Sequence, residues 1–381
     1  MEVATPAMLT TKSIWTVMSK PSETFAIIMA GGVGTRFWPM SRISKPKQFL
    51  DILGTGQSLI QMTFNRLSKV VPPSNILVVT NEIYRNQVSS HLPSIPASNI
   101  LCEPCMRNTA PCIAYANAVI SSRLSPQRDS SDVGIIVAPS DHLILDTAEF
   151  ERVISLALLS ACSTSSLLTL GIQPTRPDTG YGYIKFSGEG EIAKVEQFTE
   201  KPDLATAENF LEQGDYCWNS GIFVWSLKNI SQAFSTHLPD IFASFEDEGL
   251  TGSPNEADSI YNSCESISID YGILERAEDV RVIPCDFGWS DLGTWTSLAS
   301  HLPQDSSGNG VSGATLIESN SSRNVVVSQA EKTVALRGLN DFIIVDTPDA
   351  LLICPKSDEQ WVKELVGELG RKGKKGAEGL I

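Results

Sequence analysis

The sequence AIIMAGGVGTRFWPMSR, residues 26–42, joins a short apolar run to a glycine-rich turn. The run over residues 25–30 has the length and composition of a buried β-strand. Three glycines follow it at once: Gly31, Gly32 and Gly34. Because glycine lets backbone N–H groups approach a ligand closely, a strand that ends in such a turn is a typical cradle for anionic oxygens.

The turn lacks the spacing of either common phosphate-binding loop. No Lys-Ser or Lys-Thr pair follows as in a Walker A loop, and the third glycine of a dinucleotide fingerprint does not occur. Arg36 and Lys47 nevertheless place positive charge just after the turn. These residues alone leave two alternatives, an anion-binding loop and a tight turn beside a solvated arginine. The failed fingerprint makes a dehydrogenase the weaker hypothesis.

Bulk composition limits the class of protein. The chain has 381 residues, 42% of them hydrophobic, which is enough for one large core and a smaller unit. A net charge of −15 argues against general binding to nucleic acid or to anionic membranes. Of the eight cysteines only Cys102 and Cys105 are close in sequence, so the pattern favours reduced thiols over a zinc site.

No segment of the sequence predicts export or membrane insertion. Residues 1–23 lack a basic region followed by an apolar core, so no signal peptide is expected. No apolar run approaches the roughly 18 residues of a membrane span. We therefore expect a cytoplasmic protein without nucleic-acid or membrane partners.

Apolar runs alternate with helical patterns through the first half of the chain. The patterns predict strands at 76–80, 100–102, 134–138 and 167–171, and helices at 82–91, 109–123 and 149–162. This alternation predicts an α/β fold whose mostly parallel sheet is flanked by helices. Ligands of such sheets bind beyond the carboxyl ends of the strands, where the glycine turn and the segment 139–142 both lie.

The pattern changes after residue 180. Antiparallel strands are predicted at 181–187, 192–199 and 221–226, with helices at 204–213, 228–234 and 256–264. A Gly/Ser-rich linker is predicted at 308–313. Beyond it, short strands at 324–328, 333–336, 341–346 and 351–354 predict a small all-β, β-helix-like unit closed by a helix at 358–369.

The glycine turn, with PKQF at 46–49, resembles the sugar-nucleotide pyrophosphorylases, which are nucleotidyltransferases. Trp38, Pro39, Ser41, Arg42 and Gln48 make the resemblance strongest to the mannose-1-phosphate guanylyltransferase branch. The resemblance covers about residues 24–365. It implies a Rossmann-like mixed sheet plus a β-helix-like domain, with an N-terminal extension at 1–23, a catalytic domain at 24–303, a β-helix-like domain at 304–370 and a basic tail at 371–381.

The resemblance also implies a nucleotide-binding set. In the family, a loop matching EPCMRNTAP, residues 103–111, lies beside the nucleobase; taken alone, it is a helix start capped by Asn108 or Thr109. The implied residues are Gly31, Gly32, Gly34, Thr35, Arg36, Lys47, Glu103, Asn108, Thr109 and Ser140.

Two aspartates each follow an apolar run. Taken alone, Asp141 is a turn former and Asp291 a helix cap. The resemblance implies that both hold Mg²⁺, which prefers one or two carboxylates together with phosphate oxygens and water. His142 is expected to support a metal ligand or to be structural, and not to bind the metal itself.

A sugar-phosphate set follows from the same resemblance. Its motifs are YGYI at 181–184, EKP at 200–202 and WNSGIF at 218–223. The alternatives are an ordinary turn glycine, a surface Glu–Lys pair and a helix cap at Asp270. The implied residues are Gly182, Glu200, Lys201, Asn219 and Asp270.

The implied reaction transfers GMP from GTP to mannose 1-phosphate, giving GDP-mannose and pyrophosphate. The residues expected to carry it are Arg36, Lys47, Lys201, Asp141 and Asp291. Alternatives are another sugar 1-phosphate or nucleoside triphosphate, and a regulatory subunit that binds nucleotide without turnover. A homodimer is compatible with the sequence, and we expect transferase activity without the isomerase activity of some longer relatives.

Overall fold

A computed structural model describes residues 21–246, 249–253 and 255–372. Residues 1–20 of the predicted N-terminal extension and residues 373–381 of the predicted basic tail lie outside the described residues. All eight cysteines lie within the described residues and are unpaired thiols. None of the described helices has the length and apolar character needed to cross a membrane.

The described strands are Glu23–Ala30 (β1), Ile76–Asn81 (β2), Ile100–Glu103 (β3), Val133–Pro139 (β4), Leu143–Ile144 (β5), Leu167–Ile172 (β6), Gly182–Ser187 (β7), Ala193–Glu200 (β8), Tyr216–Ser226 (β9), Val280–Cys285 (β10), Trp289–Ser290 (β11), Gly310–Ser319 (β12), Val325–Arg337 (β13), Phe342–Asp346 (β14) and Leu351–Pro355 (β15). Eleven of the fifteen described strands lie close to predicted positions, with β13 joining two predicted strands, whereas β5, β10, β11 and β12 were not predicted.

Nine strands of the described chain form one mixed sheet in the order β3-β2-β1-β4-β9-β6-β10-β8-β7. The first four are parallel, whereas β9 runs antiparallel to β4 and β6, and β8 antiparallel to β10 and β7. Seven strands thus share one direction, which confirms the predicted α/β class. β1 pairs with β4 up to Met29 and Pro139, so the glycine turn and Asp141 emerge at the same edge.

Helices cover both faces of this sheet. The described helices are Leu59–Leu67 (α1), Arg85–His91 (α2), Thr109–Arg123 (α3), Thr147–Ser163 (α4), Leu204–Gln213 (α5), Leu227–His237 (α6), Pro239–Glu246 (α7), Asp258–Ser263 (α8), Trp295–Ala299 (α9) and Trp361–Lys372 (α10), of which α9 and α10 pack against the C-terminal unit instead. Local caps fix several starts, since the side chains of Asp146, Asp203 and Ser226 accept backbone N–H groups at the N-termini of α4, α5 and α6. A large buried cluster lies on each face of the sheet, and a small one lies among strands β7 to β10.

The C-terminal unit is the predicted β-helix-like domain. Strands β12, β13 and β14 are parallel, and β15 closes the sheet antiparallel to β14. The predicted linker at 308–313 is wrong, because strand β12 begins at Gly310. Gly313 sits at a β-bulge with φ 64°, a backbone conformation that favours glycine, so the glycines here shape a strand.

A third core joins this domain to the segments around the glycine turn and Asp291. It includes Phe37, Trp38, Leu292 and Trp295 from the first domain, and Val325, Val345, Leu352 and Val362 from the second. At its margin Arg42 donates two hydrogen bonds to the Asp349 carboxylate, each 2.6 Å long. The Arg42 hydrogen bonds lower the pKa of Asp349 to about 2.

Candidate functional site

The glycine turn wraps closely around Lys47. Gly34 has φ 72°, and a Cβ at this position would lie 2.4 Å from the Lys47 Cβ, so only glycine fits. The Lys47 N–H donates to the Val33 carbonyl at 3.0 Å, and the Gly34 carbonyl accepts from the Ser41 hydroxyl at 2.6 Å. The turn therefore fixes the start of the Lys47 side chain.

The Lys47 ammonium joins the two loops that carry the predicted metal ligands. It donates to Asp141 Oδ2 at 2.9 Å and to the Asp291 backbone carbonyl at 2.7 Å. The residue is only 3% exposed. Burial alone would raise the pKa of the Asp141 carboxyl, but the Lys47 charge and hydrogen bond outweigh it and lower the pKa below its ordinary value. Asp141 is thus held as a carboxylate.

Asp291 is oriented by two donors. Its Oδ1 accepts from the Tyr181 hydroxyl at 2.7 Å and from the Gly293 N–H at 2.9 Å. Within the described chain, no side chain donates a hydrogen bond to Oδ2 of Asp291 or to Oδ1 of Asp141, and both aspartates line one cavity. Two carboxylates, each with an oxygen to which no side chain donates, fit the ligand preference of Mg²⁺.

His142 lies between the two aspartates as a structural group. Burial lowers its pKa, against the opposing effect of both carboxylates. The Trp289 indole N–H donates to His142 Nδ1 at 3.2 Å, which assigns that nitrogen as an acceptor on a neutral ring. The sequence expectation of a structural histidine agrees with these contacts.

Two cavities meet at His142 and Asp291. The first, about 280 Å³, is also lined by Thr35, Arg36, Phe37, Lys47, Asp141 and Gly293. The second, about 250 Å³, is also lined by Thr109, Tyr181, Gly182, Glu200, Asn219 and Asp270. Arg36 and Lys47, which were predicted to bind phosphate, thus line the first cavity. The residues predicted to bind the sugar line the second, and Asp291 lies at the boundary between them.

The second cavity presents a network of hydrogen-bonding groups. Asn219 Nδ2 donates to Asp270 Oδ1 at 2.7 Å, and Asn219 Oδ1 accepts from the Thr169 hydroxyl at 3.2 Å. Burial raises the pKa of Asp270, although the hydrogen bond from Asn219 acts to lower it. A Cβ on Gly182 would lie 2.5 Å from Glu200 Oε2, so glycine makes room for this carboxylate.

Lys201 lies beside this cavity without lining it. Its ammonium contacts the Glu200 carboxylate, and its side chain is 60% exposed. Its backbone has φ 46° and its N–H donates to the Tyr181 carbonyl at 3.2 Å. The lysine is therefore fixed at the backbone while its ammonium stays accessible.

The predicted nucleobase residues are only partly brought together. Glu103 is buried near Gly31, whose hypothetical Cβ lies 3.5 Å from Glu103 Oε2. Thr109 lines the second cavity, and its hydroxyl accepts from the Ile269 N–H at 2.8 Å. Asn108 is an exposed N-cap of α3, and Ser140 is buried outside both cavities.

Glu103 makes folding stability depend on pH. Burial raises the pKa of Glu103 to about 7 from an unfolded value near 4.5, although a 2.9 Å hydrogen bond from the Tyr261 hydroxyl acts to lower it. The folded state therefore retains a proton that the unfolded state releases, and this contribution to stability is lost as pH rises from about 4.5 through about 7. We expect Glu103→Gln to remove a decline of about 3 kcal/mol over that interval.

Urea unfolding at several pH values between about 5 and 8 measures this effect. The exposed Glu212 on α5 serves as the control, because Glu212→Gln leaves the buried carboxyl in place. A pH dependence that is the same in Glu103→Gln and in wild type would contradict the assignment.

Three side chains near the cavities were absent from the predicted set. Tyr181 was named only as the neighbour of Gly182, yet its hydroxyl holds Asp291. Arg176 donates to Asp178 at 2.7 Å and to the Tyr181 hydroxyl at 3.4 Å. Gln360 of the β-helix-like domain accepts from Arg36 Nε at 3.0 Å. The Tyr-Gly motif could have identified Tyr181 from the sequence. No motif in the sequence points to Gln360.

Comparisons with known proteins agree with this architecture. The family described as Nucleotidyl transferase matches residues 25–307, and the family described as MannoseP isomerase/GMP-like beta-helix domain matches residues 317–369. The chain is 38% identical to the xanthan biosynthesis protein XanB of Xanthomonas campestris, over 93% of this chain and 74% of that protein.

Two further proteins are similar over almost the whole chain. A mannose-1-phosphate guanylyltransferase of Escherichia coli K12 is 35% identical over 93% of this chain and 75% of its own length. A crystal structure from Thermus thermophilus, described as a mannose-1-phosphate geranyltransferase, is 31% identical with a TM-score of 0.81, covering 91% of this chain and 99% of that one. The chain thus belongs to the nucleotidyl transferase family and carries a β-helix domain after its catalytic domain.

Proposed function

We propose that the protein transfers GMP from GTP to mannose 1-phosphate, forming GDP-mannose and pyrophosphate. Membership of the nucleotidyl transferase family supports the class of reaction. The choice of base and sugar is supported by the E. coli relative named mannose-1-phosphate guanylyltransferase, which is 35% identical to this chain.

One observation carries the proposal: Lys47 bridges Asp141 and the Asp291 backbone where the two cavities meet. The first cavity has Arg36 and Lys47 in its wall, which suits a triphosphate. The second has carboxylate and amide groups, which suit the hydroxyls of a sugar. A sugar phosphate in the second cavity would face the α-phosphate of a nucleotide in the first.

In the proposed reaction, a phosphate oxygen of mannose 1-phosphate attacks the α-phosphorus of GTP. The new P–O bond forms as the bond from the α-phosphorus to the oxygen bridging to the β-phosphate breaks, and the electron pair leaves with pyrophosphate. The attacking oxygen is an anion at neutral pH, so no general base is needed. The main obstacle is repulsion between two polyanions, which positioned cations reduce.

Most of the predicted residues then have a definite part. Arg36 and Lys47 offset charge on the triphosphate, and Lys201 offsets charge on the sugar phosphate. The backbone of the glycine turn donates to phosphate oxygens. Glu200, Asn219 and Asp270 are proposed to bind sugar hydroxyls. Glu103, Asn108 and Thr109 are proposed for guanine, although Thr109 also lines the second cavity.

Asp141 and Asp291 are proposed as the protein ligands of Mg²⁺. When bound, the ion would neutralise phosphate charge and help to align the two substrates. Tyr181 and Gly293 keep Oδ1 of Asp291 in place, and Lys47 keeps Asp141 ionised at neutral pH.

A substrate panel tests the proposed function. GTP, ATP, UTP, CTP and dTTP are each combined with mannose 1-phosphate and with glucose 1-phosphate, and pyrophosphate release is measured with and without Mg²⁺. We expect the highest kcat/KM for GTP with mannose 1-phosphate, and only in the presence of Mg²⁺. Preference for another pair of substrates would support nucleotidyl transfer but contradict the proposed base or sugar. Nucleotide binding without turnover would favour the alternative of a regulatory subunit.

A further inference from the structure

The β-helix-like domain contacts the segment that carries Arg36. Phe37, the next residue, packs against Trp295 with ring centroids 4.8 Å apart, and both belong to the core shared with the β-helix-like domain. The segment Thr35–Phe37 also packs against α10 of that domain. The position of Arg36 therefore depends on both domains.

Gln360 lies just before α10 and meets the Arg36 side chain. Its Oε1 accepts from Arg36 Nε at 3.0 Å, across 324 residues of sequence. Nε is the inner nitrogen of the guanidinium, so this bond leaves both terminal nitrogens available. The described chain offers those nitrogens no acceptor, and Arg36 lines the first cavity together with Lys47.

Neighbouring contacts hold Gln360 at this place. The adjacent Glu359 accepts from the Thr296 N–H in α9 at 3.2 Å, close to the Asp291 turn. Val362 is fully buried in the core between the domains. Although the Gln360 side chain is itself exposed, its backbone is therefore flanked on both sides by fixed contacts.

We propose that Gln360 is a positioning residue for the nucleotide triphosphate. It holds the guanidinium of Arg36 through Nε and leaves the two terminal nitrogens for phosphate oxygens. Arginine has many rotamers, and ordering it before the ligand arrives lowers the entropic cost of binding. The inference rests on the proposed function, because that function assigns Arg36 to the triphosphate.

A double-mutant cycle in the full-length protein tests this role. Gln360→Ala, Arg36→Ala and the double variant are compared with wild type by calorimetric titration with the nucleoside triphosphate and Mg²⁺, and by kcat/KM at low nucleotide concentration. We expect Gln360→Ala to weaken nucleotide binding by about three- to tenfold and to leave the KM for the sugar phosphate unchanged. In the Arg36→Ala background the same substitution should have no further effect.

Gln304→Ala is the matched control. Gln304 is also an exposed glutamine at the domain junction, and its side chain donates to the Ala299 carbonyl at 3.3 Å without touching Arg36. It should bind nucleotide as wild type does. An unchanged affinity in Gln360→Ala, or an equal loss with and without Arg36, would overturn the proposal.

The substrate panel separates this inference from the proposed function. If wild type prefers another nucleoside triphosphate, the proposed substrate is wrong and the cycle is run with the preferred one. If wild type is active with GTP and mannose 1-phosphate but the cycle shows no coupling, only the role of Gln360 is wrong. Thermal unfolding of each variant separates a loss of positioning from a loss of folded protein.

Discussion

Lys47→Met is expected to lower kcat/KM by at least about a hundredfold while the protein stays folded. Methionine keeps the unbranched stem that packs under Gly34 and beside the Phe37 ring, but it removes the ammonium. The loss of one positioned charge contact in an active site costs about 2–4 kcal/mol in the barrier. Turnover with GTP and mannose 1-phosphate, measured by pyrophosphate release, gives the size of the effect.

The substitution should also change the pH dependence of the remaining activity. In wild type, burial acts to raise the pKa of Asp141. The charge and hydrogen bond of Lys47 lower this pKa and more than offset the effect of burial. Without the ammonium, the effect of burial is no longer offset by Lys47, and the pKa of Asp141 rises. The residual activity should therefore fall at a higher pH than in wild type as the solution is acidified, since Asp141 is protonated sooner.

Lys69→Met is the matched control for this experiment. Lys69 pairs with Glu151 on the surface and is 51% exposed, so its substitution removes a lysine charge away from both cavities. Its kcat/KM should be that of wild type. Near-normal turnover in a folded Lys47→Met variant would remove Lys47 from the mechanism.

The parts of the fold that local sequence determines were predicted well. The helix at 109–123 has the predicted bounds, because Asn108 caps it and a run of small and apolar residues fills it. Strand β1 and the glycine turn were likewise readable from an apolar run that ends in glycines. In each case the neighbours in sequence are also the neighbours that determine the structure.

The errors arose where distant residues determine the structure. Gly310 and Gly313 were predicted to belong to a linker, but they lie in a bulged strand that pairs with β13 in parallel. The local sequence does not reveal this distant partner strand. The contact of Lys47 with the Asp291 carbonyl spans 244 residues, and a backbone acceptor leaves no mark in the sequence. The contact between Arg36 and Gln360 is hidden for the same reason.

The candidate site shows the same division between residue identity and geometry. Motif resemblance named Asp141 and Asp291, but only the fold shows that a single lysine joins their loops. Likewise, the resemblance named Gly182 as a member of the sugar-phosphate set, whereas the structure shows that this glycine makes room for Glu200. The chemistry of the side chains could be predicted from the sequence, but which residues contact one another could not.

Asp291→Asn is expected to lower kcat/KM by at least about a hundredfold, for a reason that differs from the effect at Lys47. Asparagine has the same shape, and its carbonyl oxygen can still accept from the Tyr181 hydroxyl and the Gly293 N–H. The Lys47 contact uses the backbone carbonyl of residue 291, so it also survives. What is lost is one negative charge at the boundary between the cavities.

A lost metal ligand and a lost structural contact predict different dependences on Mg²⁺. If Asp291 holds the ion, the Asn variant needs more Mg²⁺ for half-maximal activity, because an amide is a weaker ligand than a carboxylate for this hard cation. If the residue served only to shape the turn, the midpoint would stay where it is in wild type. Titrating activity with Mg²⁺ at saturating GTP distinguishes the two.

Asp286→Asn provides a control with the same local geometry. Asp286 lies five residues upstream, and its Oδ1 accepts from the Gly288 N–H at 3.2 Å, as Asp291 Oδ1 does from Gly293. Both substitutions convert an aspartate that closes a short turn, but only Asp291 lines the cavities. Equal losses in the two variants would show that turn geometry, and not charge at the cavity boundary, limits the reaction. A loss confined to Asp291→Asn would place the function in its carboxylate.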